Sequence, residues 1–407
     1  MAPVGSFETL HAAIQGGADS VYFGIERLNM RARSSLNFTL ADLEKIVRYS
    51  MSFDKRTYLT LNVVVYDDEI TRMREIIDRA KEKGIHAVIA SDQAVISYCR
   101  SVGMEVHLST QLNISNSETL KFYSSFADVA VLARELDLKK VTAITEQIRK
   151  EKIKGPSGKP LRLEMFVHGA LCMSISGKCY LSLHQYNQSA NRGACLQDCR
   201  RAYTVKERES GFELDIENEY ILSPKDLCTI HFLDKIIAAG VKVLKIEGRA
   251  RSPEYVKTVT SCYNEAIHSI INGSYSIEKT EVWKERLNSV FNRGFWDGYY
   301  LGQKLGEWSN VHGSTASKRK VYVAKNLNYF HKLGVGEFLC EADSVRVGDE
   351  VLVIGPNTGV IETEIQEIHN DNGPVNEVRP GERFSIKLPK KIRKSDKLYK
   401  LVKDNEL

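Results

Sequence analysis

Leu161-Arg-Leu-Glu-Met-Phe-Val-His-Gly-Ala-Leu-Cys172 carries the reading of the fold. Leu, Met, Phe and Val in a short run ending at a glycine are strand-forming sequence. Strand alternation places Arg162, Glu164, Phe166 and His168 on one face of that run. Charged side chains at every second position of a buried strand are costly unless they pair or face a wet cavity. The same pattern therefore permits an internal ion-pair layer or a polar substrate site, and the second reading takes Glu164 and His168 as proton-moving groups.

Working outward, the chain repeats this theme. Apolar β-rich runs stand at Ser20–Phe23, Tyr58–Val65, Ala87–Ala90, Val106–Leu112, Val129–Ala133 and Val243–Ile246, followed by helix-like stretches such as Leu40–Tyr49 and Asp67–Lys83. Such alternation implies a parallel sheet covered by helices, with right-handed crossovers. Polar residues close nearly every run: Asn62, Asp92, Gln111, Arg134 with Glu135, Glu164 with His168, and Glu247 with Arg249. A doubly wound sheet would gather them at one switch point, so a (β/α) TIM-like barrel is expected. Seven strands are counted, and Met1-Ala-Pro-Val-Gly5 reads as the end of an eighth. His107, Ser109, Gln111 and Asn113 form a further inward polar row, and Lys245, Glu247 and Arg249 share a face.

From about Lys318 the pattern changes to short alternating strands with turn signals, as in Glu350–Ile354 followed by Gly-Pro-Asn-Thr-Gly359. A small C-terminal antiparallel β-barrel is expected there. The domain expectation is residues 1–310, with a cysteine-rich insertion at about 170–228, and residues 318–407.

Of 407 residues, 43% are hydrophobic and 27% charged, which excludes a disordered chain. The formal net charge of +5 is too small to indicate a polyanion partner by itself. Its distribution is more telling, because eight basic residues against Asp396 alone lie between Lys387 and Lys403. Neither a membrane-length apolar run nor a signal-peptide pattern is present, so a cytoplasmic location without membrane attachment is expected. Of eight cysteines, Cys99, Cys262 and Cys340 stand among apolar neighbours and read as core. The other five form Cys172-x6-Cys179-x15-Cys195-x3-Cys199, with Cys228 further on. In a reducing compartment such thiols signify metal or catalysis rather than disulfides. The spacing lacks paired C-x2-C knuckles and leaves an iron–sulfur cluster, zinc and unligated thiols open. No His-Glu-x-x-His helix, Gly-x-Ser-x-Gly elbow or phosphate-binding loop occurs.

Glu164-Met-Phe-Val-His-Gly-Ala-Leu-Cys172, with Ser176-Gly-Lys-Cys179, closely resembles the signature of the collagenase-like peptidase family U32. Gly17-Ala-Asp-Ser-Val-Tyr-Phe-Gly24, Ser109-Thr-Gln111, Leu132-Ala-Arg-Glu135, Arg192-Gly-Ala-Cys195, Ser223-Pro-Lys-Asp-Leu-Cys228 and Lys245-Ile-Glu-Gly-Arg249 resemble its other motifs in family order. The resemblance implies a barrel bearing a 4Fe-4S cluster on Cys172, Cys179, Cys195 and Cys228, with Cys199 at a position where some relatives place a ligand. It also implies, despite the peptidase name, hydroxylation proteins acting on tRNA wobble uridine, on ribosomal RNA or on the ubiquinone ring. Length and the short tail are most similar to the prephenate-dependent tRNA branch. The expectation is thus a tRNA partner, prephenate as possible co-substrate, Glu164, His168 and Glu247 as catalytic groups, and Arg134, Lys245, Arg249 and Gln111 as binding groups. A collagenase-like peptidase and an rRNA-directed hydroxylation protein are the alternatives.

Overall fold

The computed structural model describes residues 1–33, 37–204, 220–311 and 313–403. Ten strands form the first sheet: β1 (Ala2–Pro3), β2 (Ser20–Gly24), β3 (Arg56–Leu61), β4 (Ala87–Ala90), β5 (Glu105–Leu108), β6 (Val129–Val131), β7 (Arg162–Gly169), β8 (Asp226–Cys228), β9 (Val243–Ile246) and β10 (Phe295–Trp296). β1 to β7 pair in sequence order and in parallel, and β9 continues the series beside β7. β8 instead meets β7 antiparallel, setting His168 opposite Cys228. Main-chain bonds also link the two ends of the series: the Met1 ammonium donates to Leu244 O at 2.8 Å, and Ile246 N–H donates to Met1 O at 3.1 Å.

Helices α1 (Phe7–Gln15), α2 (Leu43–Met51), α3 (Ile70–Glu82), α4 (Gln93–Ser101), α5 (Ser117–Ser124), α6 (Leu138–Lys150), α7 (Leu181–Tyr186), α8 (Leu233–Ala238), α9 (Pro253–Ile271) and α10 (Ile277–Asn288) connect or follow these strands. Their faces follow the helical period. In α3 the buried residues are Met73, Ile76, Ile77 and Ala80, a single stripe laid on the sheet. Side-chain caps mark several starts, as where Asn116 accepts from Thr119 N–H at 2.8 Å and Asp137 from Lys140 N–H at 2.9 Å. No described helix is long and apolar enough to cross a membrane.

Three strand expectations shorten, the Val129–Ala133 run ending at Val131. The Val106–Leu112 run ends as a strand at Leu108, and Thr110–Leu112 makes a 3-10 turn closed by Asn113 in the left-handed region. The polar row from His107 to Asn113 is therefore broken, because its last members leave the extended backbone that alternation requires. Tyr58–Val65 likewise ends its pairing at Leu61.

Residues 318–403 form an eight-stranded antiparallel sheet, with a two-stranded ladder beside it. It has a core of its own around Phe338, Phe384, Val353 and Leu398. Leu352, Ile354 and Val360, in contrast, join the core of the parallel sheet. α1 makes the junction. Gln15 Nε2 donates to Thr358 O at 2.9 Å, and its Oε1 accepts from Val360 N–H at 3.0 Å. Gly359 sits there at φ +69°, a conformation that favours glycine, and a Cβ on it would come within 2.5 Å of the Gln15 carboxamide and displace it.

Candidate active site

β7 and β9 build the floor of the site. Glu164 and Lys245, both buried, meet at 2.7 Å. Phe166, two residues on, lies under the Arg134 guanidinium, 4.0 Å from ring centroid to Cζ. Between Phe166 and His168 the pairing with β9 slips by one residue. Such a bulge reverses the alternation beyond it. His168 consequently leaves the face of Glu164 and Phe166 and packs among Tyr255, Tyr263 and Phe295. Burial there, helped by the charge of Arg251, lowers its pKa to about 3. The expectation that Glu164, His168, Lys245, Glu247 and Arg249 line one cavity is corrected in two members: His168 faces the aromatic cage, and Glu164 lies beneath the lining, held by Lys245.

A cavity of about 220 Å³ opens at the C-terminal ends of the strands, lined by Arg31, Gln111, Arg134, Lys245, Glu247 and Arg249 among others. Arg249 is 6% exposed. Its Nη1 donates to Asn29 Oδ1 at 3.0 Å and Thr60 Oγ1 at 2.8 Å. Among the described residues no carboxylate forms an ion pair with it. Burial lowers its pKa to about 10, against the opposing influence of Tyr22 and Glu247. Arg134 donates through Nη1 to Ala170 O at 3.1 Å, while its buried Nε has no partner among the described residues. Glu247 is the one carboxylate of the lining among the described residues, and Arg31 claims it at 2.7 Å. Burial alone would raise its pKa; the Arg31 charge and hydrogen bond prevail, with Arg134 and Arg249 behind them, and hold it at about 2. Gln111 accepts from Ser109 Oγ and lies against Gly177, which adopts φ +75° and whose Cβ would fall 2.9 Å from Gln111 Cγ.

Four thiols edge the same cavity: Cys172, Cys179, Cys195 and Cys199. Burial keeps Cys195 and Cys199 above their ordinary pKa, Cys199 at about 11, and charge on the neighbouring cysteines adds to this. Cys228 stands elsewhere. It is buried on β8 against the Tyr263 hydroxyl and does not line the cavity. Its place in Ser-Pro-Lys-Asp-Leu-Cys is on a strand that pairs with β7, whereas Cys199 belongs to a short 3-10 turn following Cys195. Among the described residues no three His, Cys, Asp or Glu side chains converge on a point as a single metal ion requires.

Sequence reasoning passed over Arg31, Arg200, Arg251 and Arg293, all part of the lining. Arg31 follows β2 in a loop, the position at which strand-end residues were sought elsewhere in the chain. Arg251 continues the alternation of Lys245, Glu247 and Arg249, whereas Arg200 and Arg293 carry no comparable pattern. A larger cavity, about 730 Å³, opens at the opposite ends of the strands around Met1, Asp19, Arg56 and Ile271, and none of the thiols borders it.

The family model described as Peptidase family U32 matches residues 5–310. A protein named collagenase from Porphyromonas gingivalis is 58% identical, over 100% of this chain and 98% of its own. tRNA hydroxylation protein P1 of Bacillus subtilis is 30% identical, over 98% of this chain and 94% of its own. A 23S rRNA 5-hydroxycytidine synthase of Escherichia coli is 32% identical, over 72% of this chain and 44% of its own.

Proposed function

The chain belongs to peptidase family U32, and from that premise we propose that it is an RNA-modifying redox enzyme, a prephenate-dependent hydroxylation enzyme for tRNA wobble uridine. The observation that carries the reading is the meeting of four thiols with the buried Arg249 and several half-buried guanidinium groups around one cavity. The 4Fe-4S cluster expected from the sequence suits this donor set, since soft thiolates are the ligands such a cluster takes and four of these thiols edge one mouth. Cys172, Cys179, Cys195 and Cys199 would hold it, and when bound it would supply one-electron transfer.

The chain's own groups bind and orient. Arg249 and Arg134 offer N–H donors without a carboxylate partner, which suits bidentate capture of a small polycarboxylate such as prephenate. Glu247, ionised throughout the physiological range, holds Arg31 in place and cannot donate a proton. Lys245 presents its ammonium to the cavity while Glu164 steadies it from below, so proton delivery falls to this pair and not to His168. Gln111 offers a carboxamide for a polar edge of the substrate. In this reading the parallel strands are a closed (β/α) barrel spanning residues 1–310, joined through the Met1 bonds to β9 and followed by a small β-barrel over 318–407. The cytoplasm remains the expected location, since that compartment keeps such thiols reduced.

A collagenase-like peptidase is the second reading, favoured by the name of the 58% identical relative. Nucleophilic hydrolysis requires a base within reach of the nucleophile. Ser109, Thr110, Ser174 and Ser176 line the cavity, yet no described histidine does, and Glu247 is committed to Arg31. Nucleoside mass spectrometry of tRNA and rRNA, from cells with and without the gene, tests the proposal beside a gelatin digestion by anaerobically purified protein. Loss of a hydroxylated uridine product from tRNA is the expected result; loss from rRNA alone moves the target to the ribosome. Unchanged nucleosides with digested gelatin would replace the proposal by the peptidase.

A further inference from the structure

The outer face of the segment that carries the four thiols has a composition of its own. From Cys172 to Tyr203 its acidic content is Asp198 alone, against Lys178, Arg192, Arg200 and Arg201. Asp198 is turned inward, 1% exposed, and accepts from Ser182 Oγ at 2.8 Å. Outward stand Tyr180 at 72% exposure, Tyr186 at 42%, and the apolar Met173, Ile175 and Leu196. Lys178 and Arg201 are exposed with them. Arg201 donates to the Tyr186 hydroxyl at 2.6 Å, with its guanidinium 5.5 Å from the ring centroid.

Their placement is not random along the chain. Tyr180 lies between Cys179 and Leu181, Ile175 between Ser174 and Ser176, and Leu196 between Cys195 and Gln197; all six flanking residues line the cavity. Tyr180, Ile175 and Leu196, with Met173 of the lining itself, thus stand at the cavity's rim, and Tyr186 extends this exposed face along the same segment. An unneeded apolar rim on a soluble surface is a liability. Aromatic faces interleaved with cations, and no exposed carboxylate within the segment, match the chemistry of unpaired nucleic acid, whose bases stack on rings while its phosphates seek lysine and arginine.

We propose that this rim is a stacking platform for an unpaired RNA strand, with Tyr180 and Tyr186 receiving bases and Lys178 and Arg201 receiving phosphates. The inference rests on the RNA reading above and deepens it: the nucleotide to be modified enters the cavity from a strand already laid across the rim. A base held in a duplex could not reach the lining, so recognition of an unpaired stretch is part of selecting the target.

Fluorescence anisotropy of the full chain with a short labelled oligouridylate and with a labelled RNA hairpin stem tests this. Tyr180→Ala should weaken oligouridylate binding about tenfold and the Tyr180→Ala/Tyr186→Ala pair further, whereas Tyr180→Phe keeps the ring and the affinity. Stem binding should change little in all three. The exposure of both side chains leaves the fold intact, which a thermal unfolding midpoint equal to that of the unsubstituted protein verifies. Equal loss of oligouridylate binding in the Phe variant, or none in the Ala variants, overturns the platform while the RNA reading stands. Failure of the unsubstituted protein to bind either RNA brings down both. Tyrosine-dependent binding of gelatin in place of RNA makes the rim a polypeptide surface and overturns the proposal.

Discussion

The cavity at the strand ends and the basic edge of the C-terminal sheet carry the same sign of charge in opposite settings. In the cavity Lys245 and Arg249 are 4% and 6% exposed. Along the edge Lys387, Lys390, Lys391, Arg393, Lys394 and Lys397 are all exposed, while Leu388, Ile392 and Leu398 between them are buried. The edge also buries its only acid. Asp396 accepts from Arg393 N–H at 2.8 Å and is 1% exposed. Two unit charges about 4 Å apart interact by roughly 1 kcal/mol in water and roughly 4 kcal/mol at an effective dielectric near 20. A charge in the cavity therefore discriminates between ligands, whereas a charge on the edge adds a screened attraction to any polyanion.

The largest effect separating the regions should come from the thiols. Cys172→Ser or Cys179→Ser should abolish the iron content of anaerobically purified protein, because a hydroxyl is a harder and much less acidic ligand. Cys199→Ser should do the same and Cys228→Ser should not; iron loss only in the Cys228 variant would return the fourth ligand to β8. Cys262→Ala, in the core beside Trp283, serves as the control.

Next is the buried pair. Lys245→Met strands the Glu164 carboxylate in the core and should cost about 3–5 kcal/mol of unfolding free energy in urea titrations. Removing Arg48, the exposed partner of Glu44, should cost under about 1 kcal/mol. Similar losses for the two variants would erase the contrast in burial on which the comparison stands.

Arg249→Lys keeps the charge but not the planar donor fork, and should lower kcat/KM about 100-fold with fold and iron retained. An unchanged kcat/KM would remove Arg249 from substrate binding. On the edge, Lys390→Glu, Lys391→Glu, Arg393→Glu and Lys394→Glu together should weaken RNA binding and lower the slope of log affinity against log salt by about 0.7–0.9 per lost contact. An unaltered slope makes the edge an ordinary solvated surface.

A further contrast concerns pH. His168 has a folded pKa of about 3 against an ordinary 6.5, so the unfolded chain binds the extra proton between these values. Stability therefore rises with pH across that window, by up to about 1.4 kcal/mol per unit for one proton, and is lost as pH falls. His168→Phe should flatten this part of the profile, measured by urea unfolding from pH 4 to 6.5. A slope equal to that of the unsubstituted protein would assign the acid sensitivity to other groups.

Much of the site was legible beforehand because strand ends collect polar groups in this architecture. Gln111, Arg134, Glu247 and Arg249 stand at strand ends, Lys245 shares their face by alternation, and all five share one lining. His168 was misplaced because a bulge leaves no mark in a run as short as Met165–Gly169. Arg31 was missed because its role depends on Glu247, 216 residues away.

By itself the sequence determined the order of the parallel strands β1 to β7 and β9 with their helices, though not the short β8 and β10, the change to antiparallel strands after Lys318, and the family. All three depend on local periodicity or on residues adjacent in the chain. Tertiary structure alone decided which way His168 points, that Glu164 is the partner of Lys245, and that Cys199 rather than Cys228 stands with the other three thiols. Each of these turns on register or on contacts between distant segments, and a shift of a single residue in register moves a side chain to the opposite face without altering the local pattern.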